Sequence, residues 1–172
     1  GNVLRAAGQL GVLDQYIGGG FGFDAVEVLA PDGTRVARVP SHRLLPDYPA
    51  NLGISRRTLQ KVLADSAIAA GATVRLGVTT TQIDNSGGRP EVGFSDGSRA
   101  TYDLVVGADG AYSATRAWLF PEVGPPEFTG QAVWRYNLPR PGDVTTLQAY
   151  NGPIGAGLVP ISQDLMYMYL TT

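Results

Sequence analysis

The sequence predicts an α/β (α+β) chain in two parts, a strand-and-helix part followed by a β-rich part, and three observations lead there. Asp103–Arg116 reads DLVVGADGAYSATR: an apolar run without alternation, an Asp-Gly pair and then a helix start. Such a run reads as a strand buried on both faces. Arg57–Ala70 places Leu59, Val62, Leu63, Ala67 and Ala70 on one helical face, with strand patterns directly after it. From Pro121 the composition shifts: Pro121, Pro125 and Pro126 form a linker, and strand patterns run on to Thr172.

In chain order, Asn2–Ile17 is a predicted helix, broken near Gly11. Gly18–Gly22 (GGGFG) reads as a loop, because it lacks the G-x-G-x-x-G spacing and follows a helix where a phosphate-binding fingerprint follows a strand. Asp32-Gly33 joins Ala25–Ala30 to Thr34–Pro40 as a hairpin, and Ser41–Ile54, with Pro46 and Pro49, is a loop. Ser55 caps the Arg57–Ala70 helix and Gly71 ends it. Thr73–Leu76, Val78–Asp84 and Pro90–Phe94 are predicted strands, the last two around an Asn85–Gly88 turn, and Asp96-Gly97 turns Pro90–Phe94 into Ser98–Tyr102. Leu104–Val106 is the buried strand, and Ser113–Leu119 starts a helix capped by Ser113. Gln131–Asn137, Thr145–Tyr150, Gly157–Ile161 and Leu165–Thr172 are the strands of the second part, which begins at about Glu127. The expected division is therefore 1–120 and 127–172.

Composition removes several function classes. The 172 residues are 44% hydrophobic, an ordinary value for a globular protein. A net charge of −2 and a pI near 5.3 give no electrostatic footprint for nucleic acid. The absence of cysteine excludes disulfides, thiolate metal sites and a cysteine nucleophile. His42 is the one histidine and sits in a polar loop, which reads as surface. No apolar run approaches the length of a membrane span. The chain opens with Gly inside an amphipathic pattern and stops inside a strand pattern, so it is read as the middle of a longer polypeptide, with the cytoplasm as its expected location.

The candidate site residues follow from position and chemistry. Asp109-Gly110 lies between a strand and a helix, where α/β folds bind ligands; the carboxylate suits ribose or ribityl hydroxyls, and the glycine lets a cofactor approach. Arg56 and Arg57 sit at a helix start, the end that disfavours cations; an anion nearby explains them, and so does simple solvation, and the physics leaves both open. Tyr150, Leu158, Pro160, Met166 and Met168 form either a ligand-pocket wall or an ordinary sheet core. Ser113 is a helix cap and no base accompanies it.

GADGAYSATR resembles the Asp-Gly motif (DGxxSxxR) of the FAD-dependent aromatic hydroxylases, the group of p-hydroxybenzoate and salicylate hydroxylases. NVLRAAGQLGVLDQY, ISRRTLQKVLADSAIAAGATVRLGVTTTQID and YNGPIGAGLVPI resemble the family's helix after its first nucleotide-binding unit, its Arg-x-x-Leu helix with the following strand, and a Gly-Pro stretch of its substrate domain. The resemblance implies part of a FAD-binding Rossmann-like domain at 1–120 and part of a β-sheet-rich substrate domain at 127–172. It implies FAD, with NADPH or NADH as cosubstrate and O2, hydroxylating a small, aromatic or similarly electron-rich molecule. It assigns Arg56, Thr80 (through its backbone, near the adenine), Asp109 and Gly110 to the cofactor, and leaves Arg57 on the surface. Arg116 fits either a nicotinamide nucleotide or a salt bridge to a loop carboxylate. Two family elements are absent from the sequence: the G-x-G-x-x-G unit and the later Gly-Asp motif. The aliphatic and Met-rich sheet speaks against a carboxylated benzoate. Halogenases, ubiquinone-biosynthesis hydroxylases, prenyl reductases and a non-catalytic binding domain on the same scaffold are the alternatives.

Overall fold

A computed structural model describes residues 2–172. In chain order it contains α1 (Asn2–Gln9), α2 (Leu13–Gly18), β1 (Phe21–Phe23), β2 (Ala25–Leu29), β3 (Arg35–Pro40), β4 (Asn51–Gly53) and α3 (Arg56–Ala69). Then come β5 (Thr80–Asp84), β6 (Glu91–Phe94), β7 (Arg99–Thr101), α4 (Ala114–Leu119), β8 (Val133–Pro139), β9 (Leu147–Tyr150), β10 (Gly155–Pro160) and β11 (Leu165–Thr171). The chain groups into two compact units, one joining Gly1–Ala72 to Gly130–Thr172 and the other formed by Thr73–Thr129.

In the first unit, the predicted N-terminal helix is indeed broken at Gly11, whose φ of 70° is left-handed and suits a residue without a Cβ. The break lets Leu4, Ala7, Val12 and Tyr16 converge into a buried cluster, against which Leu52, Ile54, Leu59 and Val62 pack. The helix α3 starts as expected: the Ser55 hydroxyl accepts the Thr58 N–H at 3.0 Å. It ends in a Schellman motif, with Gly71 at φ 94° and the Gly71 and Ala72 N–H groups donating to the Ile68 and Ala67 carbonyls.

Six strands of this unit form one sheet in the order β3-β2-β9-β10-β11-β8. All its pairings are antiparallel except β2 with β9, which run parallel from Val26↔Leu147 to Leu29↔Tyr150. The Thr146 hydroxyl donates to the Ala25 carbonyl at the start of that parallel pair. Phe23, Val159 and Ile161 are buried together on one face of the sheet, with Phe21, Leu147, Tyr167 and Tyr169 around them.

The second unit is a three-stranded antiparallel meander, β5-β6-β7, with the α4 segment. Its Asp96-Gly97 hairpin has the expected chemistry: Gly97 at φ 82° and Asp96 Oδ1 accepting the Ser98 N–H at 3.0 Å.

Several expectations need correction. Leu104–Val106 is not a strand, and Leu104 and Val106 are 75% and 76% exposed. Thr73–Leu76 is also not a strand, and Leu76 is exposed. A strand's two faces are buried only by layers packed on either side of its sheet, and neither segment joins a sheet among the described residues. Conversely, β1 and β4 pair inside segments read as loops, Phe21↔Gly53 to Phe23↔Asn51. Both are three-residue, glycine-containing strands, too short to show periodicity. The strands β2 and β3 share one sheet with the C-terminal strands β8 to β11.

Candidate functional site

Within the second unit, the segment from Asp109 to Arg116 folds onto itself around one carboxylate. Asp109 Oδ1 accepts from the Ser113 hydroxyl, and Oδ2 accepts from the Thr115 N–H at 3.0 Å and the Thr115 hydroxyl at 3.1 Å. The Ser113 oxygen in turn accepts the Arg116 N–H at 2.9 Å, so it caps α4 as expected. The Arg116 guanidinium donates to the Ala111 carbonyl at 2.9 Å, and no carboxylate pairs with it among the described residues. Gly110, between these anchors, has φ 84° and open space where a Cβ would stand. A Cβ on Gly107 would lie 2.7 Å from the Thr115 side chain, so that glycine is what lets the chain run close beside α4.

These hydrogen bonds hold the Asp109 carboxyl well below the usual carboxylate range, the Ser113 hydroxyl contributing most and the Thr115 N–H next. Asp109 is therefore an exposed, ionised carboxylate organised by its own loop, not the free acceptor at a buried strand end that the sequence suggested. A carboxylate offers about four lone-pair sites, so after three accepted bonds there remains room for an external hydroxyl. Thr80, at the start of β5, lines the same cleft of about 200 Å³ as Asp109, together with Val106, Gly107 and Trp118. Two of the predicted cofactor residues thus meet in one place. Thr115, which anchors Asp109 twice, escaped sequence reasoning; the only signal for it is a second hydroxyl residue just after the cap.

Within the first unit, Arg56 opens α3 and is exposed, as is Arg57, and neither has an ion-pair partner among the described residues. His42 is exposed, as expected. The sheet register puts all five substrate candidates on one face. Tyr150 lies opposite Ala156, Leu158 opposite Met168, and Pro160 opposite Met166. Pro160 and Met166 are already buried by protein, whereas Tyr150, Leu158 and Met168 stay half-exposed. Tyr150 also forms the wall of an apolar pocket of about 320 Å³ with Pro31, Pro153 and Ile154. The opposite face carries Tyr167 and Tyr169, and the Tyr169 ring lies so close over Gly157 that a Cβ there would sit 2.4 Å away. Burial pushes the Tyr169 hydroxyl pKa up, with a smaller contribution from Tyr167.

No family model matches the chain. Among curated proteins, 2-heptyl-3-hydroxy-4(1H)-quinolone synthase of Pseudomonas aeruginosa is 28% identical over 172 residues, covering 99% of this chain and 44% of that protein. FAD-dependent urate hydroxylase of Klebsiella pneumoniae is 28% identical over 121 residues, 67% of this chain and 31% of that protein. The 3-amino-4-hydroxybenzoate 2-monooxygenase of Streptomyces cremeus is 30% identical over 141 residues, 80% of this chain and 35% of that protein. Several relatives are named as FAD-dependent monooxygenases or hydroxylases. The chain spans less than half the length of these monooxygenases. A solved structure shares the fold: Klebsiella pneumoniae HpxO, solved with FAD and uric acid, superposes with a TM-score of 0.80 at 20% identity over 98% of this chain and 44% of its own. These relatives match the expected family, and the α/β class holds.

The residues present fit FAD in part. Gly110 gives clearance, Asp109 retains acceptor capacity and Arg56 offers an unpaired cation. A glycine-rich strand-to-helix turn for the diphosphate is absent from the sequence. The described residues contain no group of three metal-ligating side chains and no helix long and apolar enough to cross a membrane.

Proposed function

We propose that this chain is part of a flavin-dependent monooxygenase that uses FAD, NADH or NADPH, and O2 to hydroxylate an aromatic or similarly electron-rich small molecule. The observation that carries the reading is the similarity to FAD-dependent monooxygenases in both sequence and fold along nearly the whole chain. The alternatives, other flavoproteins of this fold or a binding domain without flavin, gain no support from these relatives. When bound, FAD supplies the redox chemistry, and the protein's part is to bind, orient and exclude water.

In this reading, the remaining acceptor site of Asp109 takes a hydroxyl of the cofactor, and Gly110 keeps the approach open. Thr80 borders the same cleft through its backbone. Arg56 neutralises phosphate charge at the start of α3, where the helix dipole leaves a cation least well placed unless an anion is nearby. Arg116, without a carboxylate partner, is available to a nicotinamide nucleotide. Tyr150, Leu158 and Met168 contribute apolar substrate contacts, and Pro160 and Met166 flank them on the same face. The protein acts in the cytoplasm.

The test is direct. The complete protein, purified in the dark, should be yellow and contain FAD. It should oxidise NADH or NADPH faster when an aromatic substrate is added and place one atom of labelled O2 into the product. A colourless protein that binds no added FAD would favour the non-catalytic scaffold.

A further inference from the structure

The hydrogen bonds on the Asp109 carboxylate are divided unequally between its oxygens. Oδ2 accepts twice from Thr115, from the N–H at 3.0 Å and from the hydroxyl at 3.1 Å. Oδ1 accepts once, from the Ser113 hydroxyl. A carboxylate offers about four lone-pair sites, about two on each oxygen. Thr115 therefore fills Oδ2 by itself, and the acceptor site that remains lies on Oδ1. Ser113 is also engaged in capping α4 through the Arg116 N–H. The Thr115 hydroxyl makes no other hydrogen bond among the described residues.

The Thr115 side chain is also held from its other side. A Cβ on Gly107 would lie 2.7 Å from the Thr115 Cγ2 and 2.9 Å from the Thr115 Cβ, so the threonine rests directly on the bare Gly107 backbone. A β-branched side chain has few χ1 choices. With the methyl seated against Gly107, the hydroxyl is left to face Asp109. Gly107, Asp109 and Thr115 line the same cleft as Thr80.

We propose that Thr115 is a positioning residue for the cofactor: seated on Gly107, it saturates Oδ2 and fixes the carboxylate, so that Asp109 meets the ligand through Oδ1 alone and takes one hydroxyl. A two-pronged grip on a vicinal diol needs a free site on each oxygen, and Thr115 closes one of them. That the hydroxyl belongs to FAD rests on the proposed function; the division of the carboxylate does not.

A double-mutant cycle on FAD affinity in the complete protein tests this, with dissociation constants read by calorimetry and no turnover required. Thr115→Val keeps the shape, the N–H and the packing on Gly107, and loses only the hydroxyl. In the natural background it should weaken FAD binding roughly tenfold, with the melting temperature of the flavin-free protein little changed. In an Asp109→Ala background the same substitution should cost under about twofold, because a residue that acts through Asp109 has nothing left to position. Thr115→Ser, which keeps the hydroxyl, should retain most of the affinity. Thr115→Ala, taken through the same cycle, covers the case in which the valine variant fails to fold. An equal loss in both backgrounds would mean that Thr115 touches FAD itself or only supports the loop, and overturns the proposal. Unchanged affinity in the natural background overturns it as well. If the unsubstituted protein binds no FAD, the proposed function falls and this inference with it; if it binds FAD and the cycle is additive, this inference alone falls.

Discussion

Asp109 shows how one carboxylate can serve structure and ligand together. Its three accepted hydrogen bonds tie Gly110–Tyr112 into a closed loop, and only the remaining lone-pair direction is available to a cofactor hydroxyl. Asp109→Ala should therefore speed exchange of the Thr115 and Arg116 amides and weaken FAD binding, with little change in melting temperature. Unchanged exchange would show that the loop does not depend on the carboxylate. The pH dependence has a definite sign. The folded pKa lies below the ordinary 3.8, so the loop is fully tied above that value and loosens as the pH falls through the lower, folded pKa. Thr115 protection should hold from about pH 7 to about pH 5 and decline only in stronger acid; Asp109→Asn should remove that acid dependence. Arg56 makes a second test by contrast with its neighbour. Both arginines are exposed and lack an ion-pair partner among the described residues, so sequence position separates them. Arg56→Ala should lower the FAD content of the complete protein much more than Arg57→Ala, and equal retention would return Arg56 to the surface class. The motif Asp109-Gly110 and the cap Ser113 were legible in the sequence because turn and cap chemistry is local. That Asp109 is claimed by Thr115 was not, because a hydrogen bond six residues away leaves no periodic trace.

At the scale of elements, what could be read was whatever closes on itself. The hairpins at Asp32-Gly33 and Asp96-Gly97 and the capped helix α3 carry their signals within a few residues, and all form as expected. Leu104–Val106 shows the converse: its composition demands burial, but burial is supplied by neighbours that the segment itself does not encode. The ribbon of β1 and β4 escaped because its decisive residue is a glycine. A Cβ on Gly53 would stand 1.9 Å from the Pro160 carbonyl oxygen. Gly53→Ala should thus force the ribbon off the sheet and lower stability far more than Ser55→Ala, which costs about 1 kcal/mol as a lost cap; denaturant titration of both variants checks the order. The sheet also offers a choice of faces for substrate. If Leu158 and Met168 line the site, Met168→Ala should raise the KM for substrate several-fold while Tyr169→Phe leaves it unchanged. The reverse pattern would move the substrate to the tyrosine face.

For the whole molecule, the kind of relative could be read from the sequence, while the sharing of one sheet by β2, β3 and the C-terminal strands could not. The Asp-Gly and Arg-x-x-Leu motifs pointed to flavoprotein hydroxylases, and the relatives agree. Linker composition marks where the chain is irregular, not which strands share a sheet. The missing glycine-rich unit has a measurable consequence. The 172 residues alone should bind FAD more weakly than about 1 μM, less favourable than roughly −8 kcal/mol, and calorimetric titration decides it. Tighter binding would mean that the cradle for the diphosphate lies within this chain after all.

The parallel pairing of β2 with β9 also sets a timetable. Thr146 and Ala25, which meet at its start, are 121 residues apart in the chain. During synthesis the β2–β3 hairpin is finished early, yet the strand that completes its other side does not emerge until the whole meander and α4 have been made. At ordinary elongation rates that delay is on the order of ten seconds, during which β2 presents an unsatisfied border to the ribosome's surroundings. The Thr73–Thr129 unit is thus a spacer in time as well as in sequence. Slowing its translation should prolong the vulnerable interval and increase chaperone engagement of the nascent chain, while faster decoding of the same stretch should shorten both.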